Sequence, residues 1–198
     1  MGLKIDYIYG QSPLDEDEKE GLKVKSITTR GELDEFEQQN IEKAIEWIIG
    51  KKFSADYILS EEFVKELHKR MFGDVWDWAG TFRRTNKNIG VDKQRISVEL
   101  RQLLDDCKYW IQNDVYPEDE IAVRFKYRMV KIHPFPNGNG RHSRLIADVL
   151  VEKVLKQPLF TWGNKNISRP GETRATYMNA LHAADKGDFS LLLKFTRS

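Results

Sequence analysis

The sequence predicts an all-α domain, a helical bundle built around one helix-loop-helix motif, with a single small β-hairpin. Apolar positions recur at three-to-four-residue spacing through most of the chain, as helices buried on one face require. The spacing fails between Trp78 and Ile96, where Gly80, Asn86, Asn88 and Gly90 interrupt short β-prone pieces around Phe82 and Ile89. At 198 residues the chain can bury one sizeable core and is too short for two typical domains with separate activities.

Residues 1–25 read as an N-terminal arm, because Gln11 to Gly21 is polar and acidic and suits a segment laid over a surface. Residues 26–198 read as the single domain. Leu33, Phe36, Ile41, Ala44, Ile45 and Ile48 define a first helix near 28–49, closed by Gly50. Ser60 caps a helix from Glu61 to Phe72, with Glu62 and Glu66 early, Lys69 and Arg70 late, and an apolar face of Phe63, Leu67 and Met71. Helical spacing returns from Val98 to Asn113 through Leu100, Leu103, Leu104, Cys107, Trp110 and Ile111. Pro117 resets the chain before a helix from Ile121 to Ile132. Further helices are expected over Gly140 to Leu155, Gly171 to Ala184 and Asp188 to Phe195.

Lys plus Arg number 32 against 31 Asp plus Glu, a balance that argues against a strongly basic nucleic-acid surface. Cys107 has no second cysteine to pair with, which excludes an internal disulfide and a cysteine-based metal cluster. No run of about 18 apolar residues occurs, so a soluble cytoplasmic protein is expected.

The chemistry concentrates in His133-Pro-Phe-Pro-Asn-Gly-Asn-Gly-Arg-His-Ser-Arg144. Asn137, Gly138, Asn139 and Gly140 are the residue types most tolerant of left-handed backbone, and they stand immediately before a helix. Their amides can converge into a nest that joins the positive helix end, an arrangement that favours phosphate. Arg141 and Arg144 share one face of that helix's first turn. Arginine opposes the dipole there, so two of them point to a compensating anion. His133 is placed across the loop as a potential base. His68, His142 and His182 read as structural, His142 as partly exposed, and no His, Asp and Glu grouping has convincing zinc-ligand spacing.

His133-Pro134-Phe135, Gly138-Asn139-Gly140-Arg141 and Arg144 resemble the signature of the Fic family, which begins His-x-Phe-x-Asp/Glu. Leu67-His68, Trp78-Ala79-Gly80, Arg83, Tyr177, Ala180-Leu181 and Ala184-Asp185 extend the resemblance over most of the chain. Thr28-Thr29-Arg30-Gly31-Glu32-Leu33 with the Asn137 motif resembles the subgroup called mobile mystery protein B. The resemblance implies the Fic fold and transfer of AMP from ATP, carried with Mg²⁺ or Mn²⁺, to a Ser, Thr or Tyr hydroxyl of a protein. It implies His133 as base; Gly138, Asn139, Gly140, Arg141 and Arg144 on the phosphates; and Tyr177 near the base of the nucleotide. The subgroup implies a separately encoded DNA-binding partner protein, in a toxin-antitoxin-like arrangement.

Asn137 stands where the family carries the carboxylate that holds the metal. An amide oxygen can ligate Mg²⁺ but lacks the charge, so metal binding is expected to be weak. A catalytically weak nucleotide-binding or interaction module, or transfer of another nucleotide-derived group, stays open beside AMP transfer. Thr28-x-x-x-Glu32 resembles the family's inhibitory helix, which implies a brake in which Glu32 pairs with Arg144. An ordinary first-turn glutamate behind an N-cap threonine accounts for the same residues. Asn86, Lys87, Asn88 and Ile89 fall on the family's target-docking flap, where edge-strand pairing would position a hydroxyl; a solvated turn is the plainer alternative. Tyr177 could equally be a core aromatic.

Overall fold

The computed structural model describes residues 13–163 and 170–198. In chain order the helices are α1 (Glu16–Glu20), α2 (Arg30–Ile49), α3 (Ala55–Ile58), α4 (Glu61–Phe72), α5 (Ile96–Gln112), α6 (Glu118–Ile132), α7 (Asn139–Val149), α8 (Pro170–Asp185) and α9 (Ser190–Thr196). The buried helix α6 lies between α5 and α7, α2 packs along α4, and α8 pairs with α9. Residues 1–12 of the expected arm lie outside the described residues. Its remainder forms α1 and a crossing in which Leu22 bridges Trp76, and the Trp78 indole donates to the Glu18 carbonyl at 2.9 Å.

Thr29 caps α2 by accepting from the Glu32 amide, and α2 stops at Gly50. Its buried face differs from the expected one. Leu33, Ile41, Ala44 and Ile48 are inside, Phe36 and Ile45 are 39% and 36% exposed, and Glu37 and Asn40 take their place in the stripe. Both polar residues have partners that account for their burial. Asn40 Nδ2 donates to the Arg70 carbonyl and its Oδ1 accepts from the Asp74 amide, both at 2.8 Å, which closes the carbonyl end of α4. Glu37 Oε1 accepts the Trp76 indole N–H at 2.6 Å. Ser60 caps α4 as expected, accepting from the Phe63 amide. The single helix expected over 140–155 is α7 followed by a π-type turn over Leu150–Val154.

The expected β-hairpin is absent among the described residues, and segment 82–92 is irregular. Side chains replace the cross-strand ladder. Arg83 donates to the carbonyls of Thr85 and Val91, and Asn86 bonds both the Asp92 carboxylate and the Lys93 amide. Gly90 at φ +107 breaks the extended path, and a β-carbon on it would stand 2.7 Å from His133 Cβ.

Cys107 is fully buried in α5, and burial pushes its thiol up to about 12, so it is inert packing. Phe63 is fully buried among Phe53 and Tyr57, each 5.4 Å away between ring centroids, and Trp47. Phe63→Ala should therefore destabilise the fold by about 3–5 kcal/mol. A urea denaturation midpoint unchanged from the parent chain would refute that placement of the core.

Candidate active site

Helix α6 ends at His133, which takes a left-handed conformation at φ 52 and ψ 60. That turn carries the chain away from the helix axis and leaves the imidazole buried. Its ring bonds the Val130 backbone. Burial first, and the neighbouring Arg83 charge second, lower its pKa to about 4. The imidazole is uncharged at neutral pH, the form that can accept a proton.

Four contacts hold the loop between α6 and α7. Asn139 Oδ1 accepts from the Phe135 amide at 3.0 Å and its Nδ2 donates to the Phe135 carbonyl at 2.8 Å. The fully buried Phe135 ring stacks on His68 with 3.7 Å between centroids. His68 Nδ1 accepts the Gly80 N–H at 3.0 Å, which places the ring proton on Nε2, and Nε2 donates to the Asn137 carbonyl at 3.1 Å. His142, expected to be partly exposed, is fully buried; its Nε2 bonds the Val64 carbonyl at 3.0 Å. Gly138 sits at φ +75, and a β-carbon there would lie 2.6 Å from the Phe72 ring, so this position admits only glycine. α7 begins at once, bringing its first amides and positive end to the loop. Asn139 thus braces the loop with its side chain, leaving backbone rather than amide side chain to meet an anion.

The two arginines of α7 part company. Arg141 lies over Phe72 at 4.8 Å and pairs with Glu37 Oε2 at 2.6 Å. Arg144 lies 5.1 Å from the Tyr177 ring, and the Tyr177 hydroxyl bonds Lys126 Nζ. Lys126 is fully buried; burial, then the Arg144 charge, pushes its ammonium well below the usual lysine range. Asp148, four residues after Arg144, is raised to about 6 by burial, although the Trp162 indole donates to both its oxygens at 3.0 Å.

Glu32 does not reach this cluster. Its exposed carboxylate accepts from the Thr28 and Thr29 amides at 2.9 and 3.0 Å at the start of its own helix, and those bonds hold it below the usual carboxylate range. The carboxylate of α2 that meets an arginine of α7 is Glu37, five residues further along the helix. Along 82–92, Asn88 and Ile89 are exposed. Lys87 is 3% exposed at its side chain and bonds Glu18 at 2.5 Å and Asp15 at 3.0 Å, so the arm occupies it. Asn137 Oδ1 accepts from the Gly138 amide at 2.7 Å. One neutral, already bonded oxygen does not make a resident metal site, and no group of three His, Cys, Asp or Glu fit to hold a metal occurs among the described residues.

Sequence reasoning missed Glu37, Lys126 and the bracing role of His68. Glu37 and Asn40 fall at helical spacing among Leu33, Ile41 and Ala44, and His68 falls between Val64 and Phe72. A polar residue on an apolar face was the available signal.

Residues 58–151 match the family model described as Fic/DOC family. A protein adenylyltransferase Fic of Drosophila grimshawi is 30% identical over 137 residues, 67% of this chain and 26% of that protein. That of Drosophila mojavensis is 28% identical over 176 residues, 86% of this chain and 32% of its own length. The chain thus spans between a quarter and a third of these curated relatives. The BepC protein of Bartonella tribocorum, solved with bound AMPPNP, superposes with a TM-score of 0.67 at 16% identity, covering 92% of this chain and 97% of that one.

The buried histidines set a pH dependence. His142 and His133 are lowered from 6.5 to about 4, and His68 lies well below 6.5, all chiefly by burial. Below pH 6.5 the unfolded chain binds protons at these rings that the folded chain refuses, so stability falls as pH drops from 6.5 toward 4. Asp148 opposes this, because its folded form takes up a proton already near pH 6. Three rings outweigh one carboxyl, and thermal midpoints should decline across that window, with a shallower slope in His142→Gln. A flat profile between pH 6.5 and 5 would show that these rings titrate normally (about 6.5 for solvated imidazole).

Proposed function

The chain belongs to the Fic/DOC family, and on that premise we propose that it is a protein adenylyltransferase moving AMP from ATP to a Ser, Thr or Tyr hydroxyl. The observation that carries the reading is a buried, uncharged His133 at the C-cap of α6, six residues before the first residue of α7. In the step, the hydroxyl oxygen bonds the α-phosphorus while the bond to the β-bridging oxygen breaks and pyrophosphate leaves. The hydroxyl proton passes to His133. Backbone at Gly138, Asn139 and Gly140 cradles the phosphates, Arg141 and Arg144 balance their charge, and Tyr177 lies by the base. Any Mg²⁺ or Mn²⁺ travels with the nucleotide as part of the substrate. The Thr28 to Leu33 segment with the Asn137 motif supports placement in the mobile mystery protein B subgroup, with a cytoplasmic setting and a separately encoded DNA-binding partner. Exposed Asn88 and Ile89 supply the surface on which a target segment would rest.

Asn137 supports a second reading, a nucleotide-binding module with little turnover, because its amide oxygen lacks a carboxylate's charge. Incubation with ATP labelled at the α-phosphate separates the two. His133→Ala should abolish self-labelling and keep ATP affinity within about twofold, since the imidazole acts on the hydroxyl rather than on the nucleotide. Labelling that persists in the folded variant would remove His133 from the chemistry.

Restraint of this site falls to Glu37 in place of Glu32, because Glu37 holds Arg141, a cation the phosphates need. Glu37→Gln keeps an acceptor for Trp76 and lowers the charge on Arg141, so ATP affinity measured by calorimetry should rise several-fold. Glu32→Gly should leave ATP affinity unchanged and lower the thermal midpoint slightly through loss of its helix-start bonds. The reverse result would return the brake to Glu32.

A further inference from the structure

Helix α6 ends where the chain has few donors of its own. A helix leaves its last carbonyls without partners, and here the residues that follow include Pro134 and Pro136, which carry no N–H. The Phe135 amide is engaged by Asn139. Partners for the carbonyls of 132–134 must come from elsewhere in the chain, and they come from segment 82–92. Val91 N–H donates to the Ile132 carbonyl at 3.4 Å and Arg83 N–H to the Pro134 carbonyl at 2.9 Å. Arg83 Nε donates to the His133 carbonyl at 2.7 Å. The rest of the guanidinium fork turns back onto its own segment, Nη1 to Thr85 at 2.8 Å and Nη2 to Val91.

We infer that Arg83 is the positioning residue of this site: its buried guanidinium caps α6 and clasps segment 82–92 to the backbone of His133, so that the base and the docking segment are set as one unit. A left-handed conformation is strained for a non-glycine residue, and the clasp on its carbonyl holds His133 there. The planar fork supplies donors at fixed angles, which a lysine's single ammonium cannot reproduce. Asp92 and Glu18 act on Arg83 only through space, so the cation is directed at carbonyls and stands in full beside the imidazole. The charged groups facing His133 are Arg83 and Lys87, both from segment 82–92, and α6 contributes the Val130 backbone.

The inference rests on His133 being the base, and the test uses two readouts that fail separately. In the full-length chain, the His133 ring protons are titrated by NMR, and self-labelling is followed over a range of ATP concentrations. Arg83→Met removes fork and charge, and should raise the His133 titration by about one unit or more. Arg83→Lys keeps a charge without the fork. It should leave the titration within about half a unit and lower the maximal labelling rate about tenfold to a hundredfold, with KM for ATP within about twofold. A folded Arg83→Met with His133 titrating as in the parent, or Arg83→Lys labelling at the parental rate, would overturn the proposal. If Arg83→Met does not fold, Arg83→Lys decides by rate. If the parent labels nothing, the adenylyltransferase reading fails, and the His133 titration in Arg83→Met alone decides the role of Arg83.

Discussion

The paired hydrogen bonds between Asn139 and the backbone of Phe135 are the constraint on which the site depends. They close the loop from inside, so the chain can leave α6, pass two prolines and enter α7 without a regular turn. Once the loop is closed, Phe135 points into the core and must find a flat partner, which His68 supplies. His68 in turn reaches the Asn137 carbonyl and the Gly80 amide, joining α4 to both the loop and the segment after it. The loop is therefore continuous with the hydrophobic core, of which Phe135 is a fully buried part.

The charge around this loop is lopsided. Arg83 and Lys126 are buried cations whose direct partners are carbonyls and a phenol hydroxyl. Burying charge without a counter-ion is unfavourable, and Lys126 responds by shedding its proton more readily. A polyphosphate would reverse those conditions, favouring the protonated form of every basic group near it. His133, lowered to about 4 chiefly by burial, would become a better proton acceptor if an anion bound beside it.

Helices were readable because their signals are local. Ser60 before Phe63, Gly50 after Ile49, and the three-to-four spacing in α5 and α6 each act within one or two turns, and the structure keeps them. In the loop, only the glycine signal at Gly138 was legible, at φ +75; Asn137, Asn139 and Gly140 take no positive φ, and the other left-handed residue is His133. Partner choice was not legible. Thr28 and Glu32 carry a capping pattern that resembles a brake, yet the carboxylate that meets an arginine of α7 is Glu37, selected by which face of α2 meets α4. The hairpin was misread because Gly90 and Asn86 fit a turn, whereas Arg83 supplies a side-chain fastening in place of a ladder, and no pattern within 82–92 encodes the distant carbonyls it fastens.

Glu37 joins two unlike groups through one carboxylate, the indole of Trp76 on one oxygen and the guanidinium of Arg141 on the other. An indole's emission responds to the charge and hydrogen bonding at its ring nitrogen. Any event that draws Arg141 away leaves a bare anion against Trp76, and any event that restores the pair removes it. The buried indole of Trp76 and the guanidinium of Arg141 are therefore not independent: whatever moves one changes the charge that the other meets across a single carboxylate.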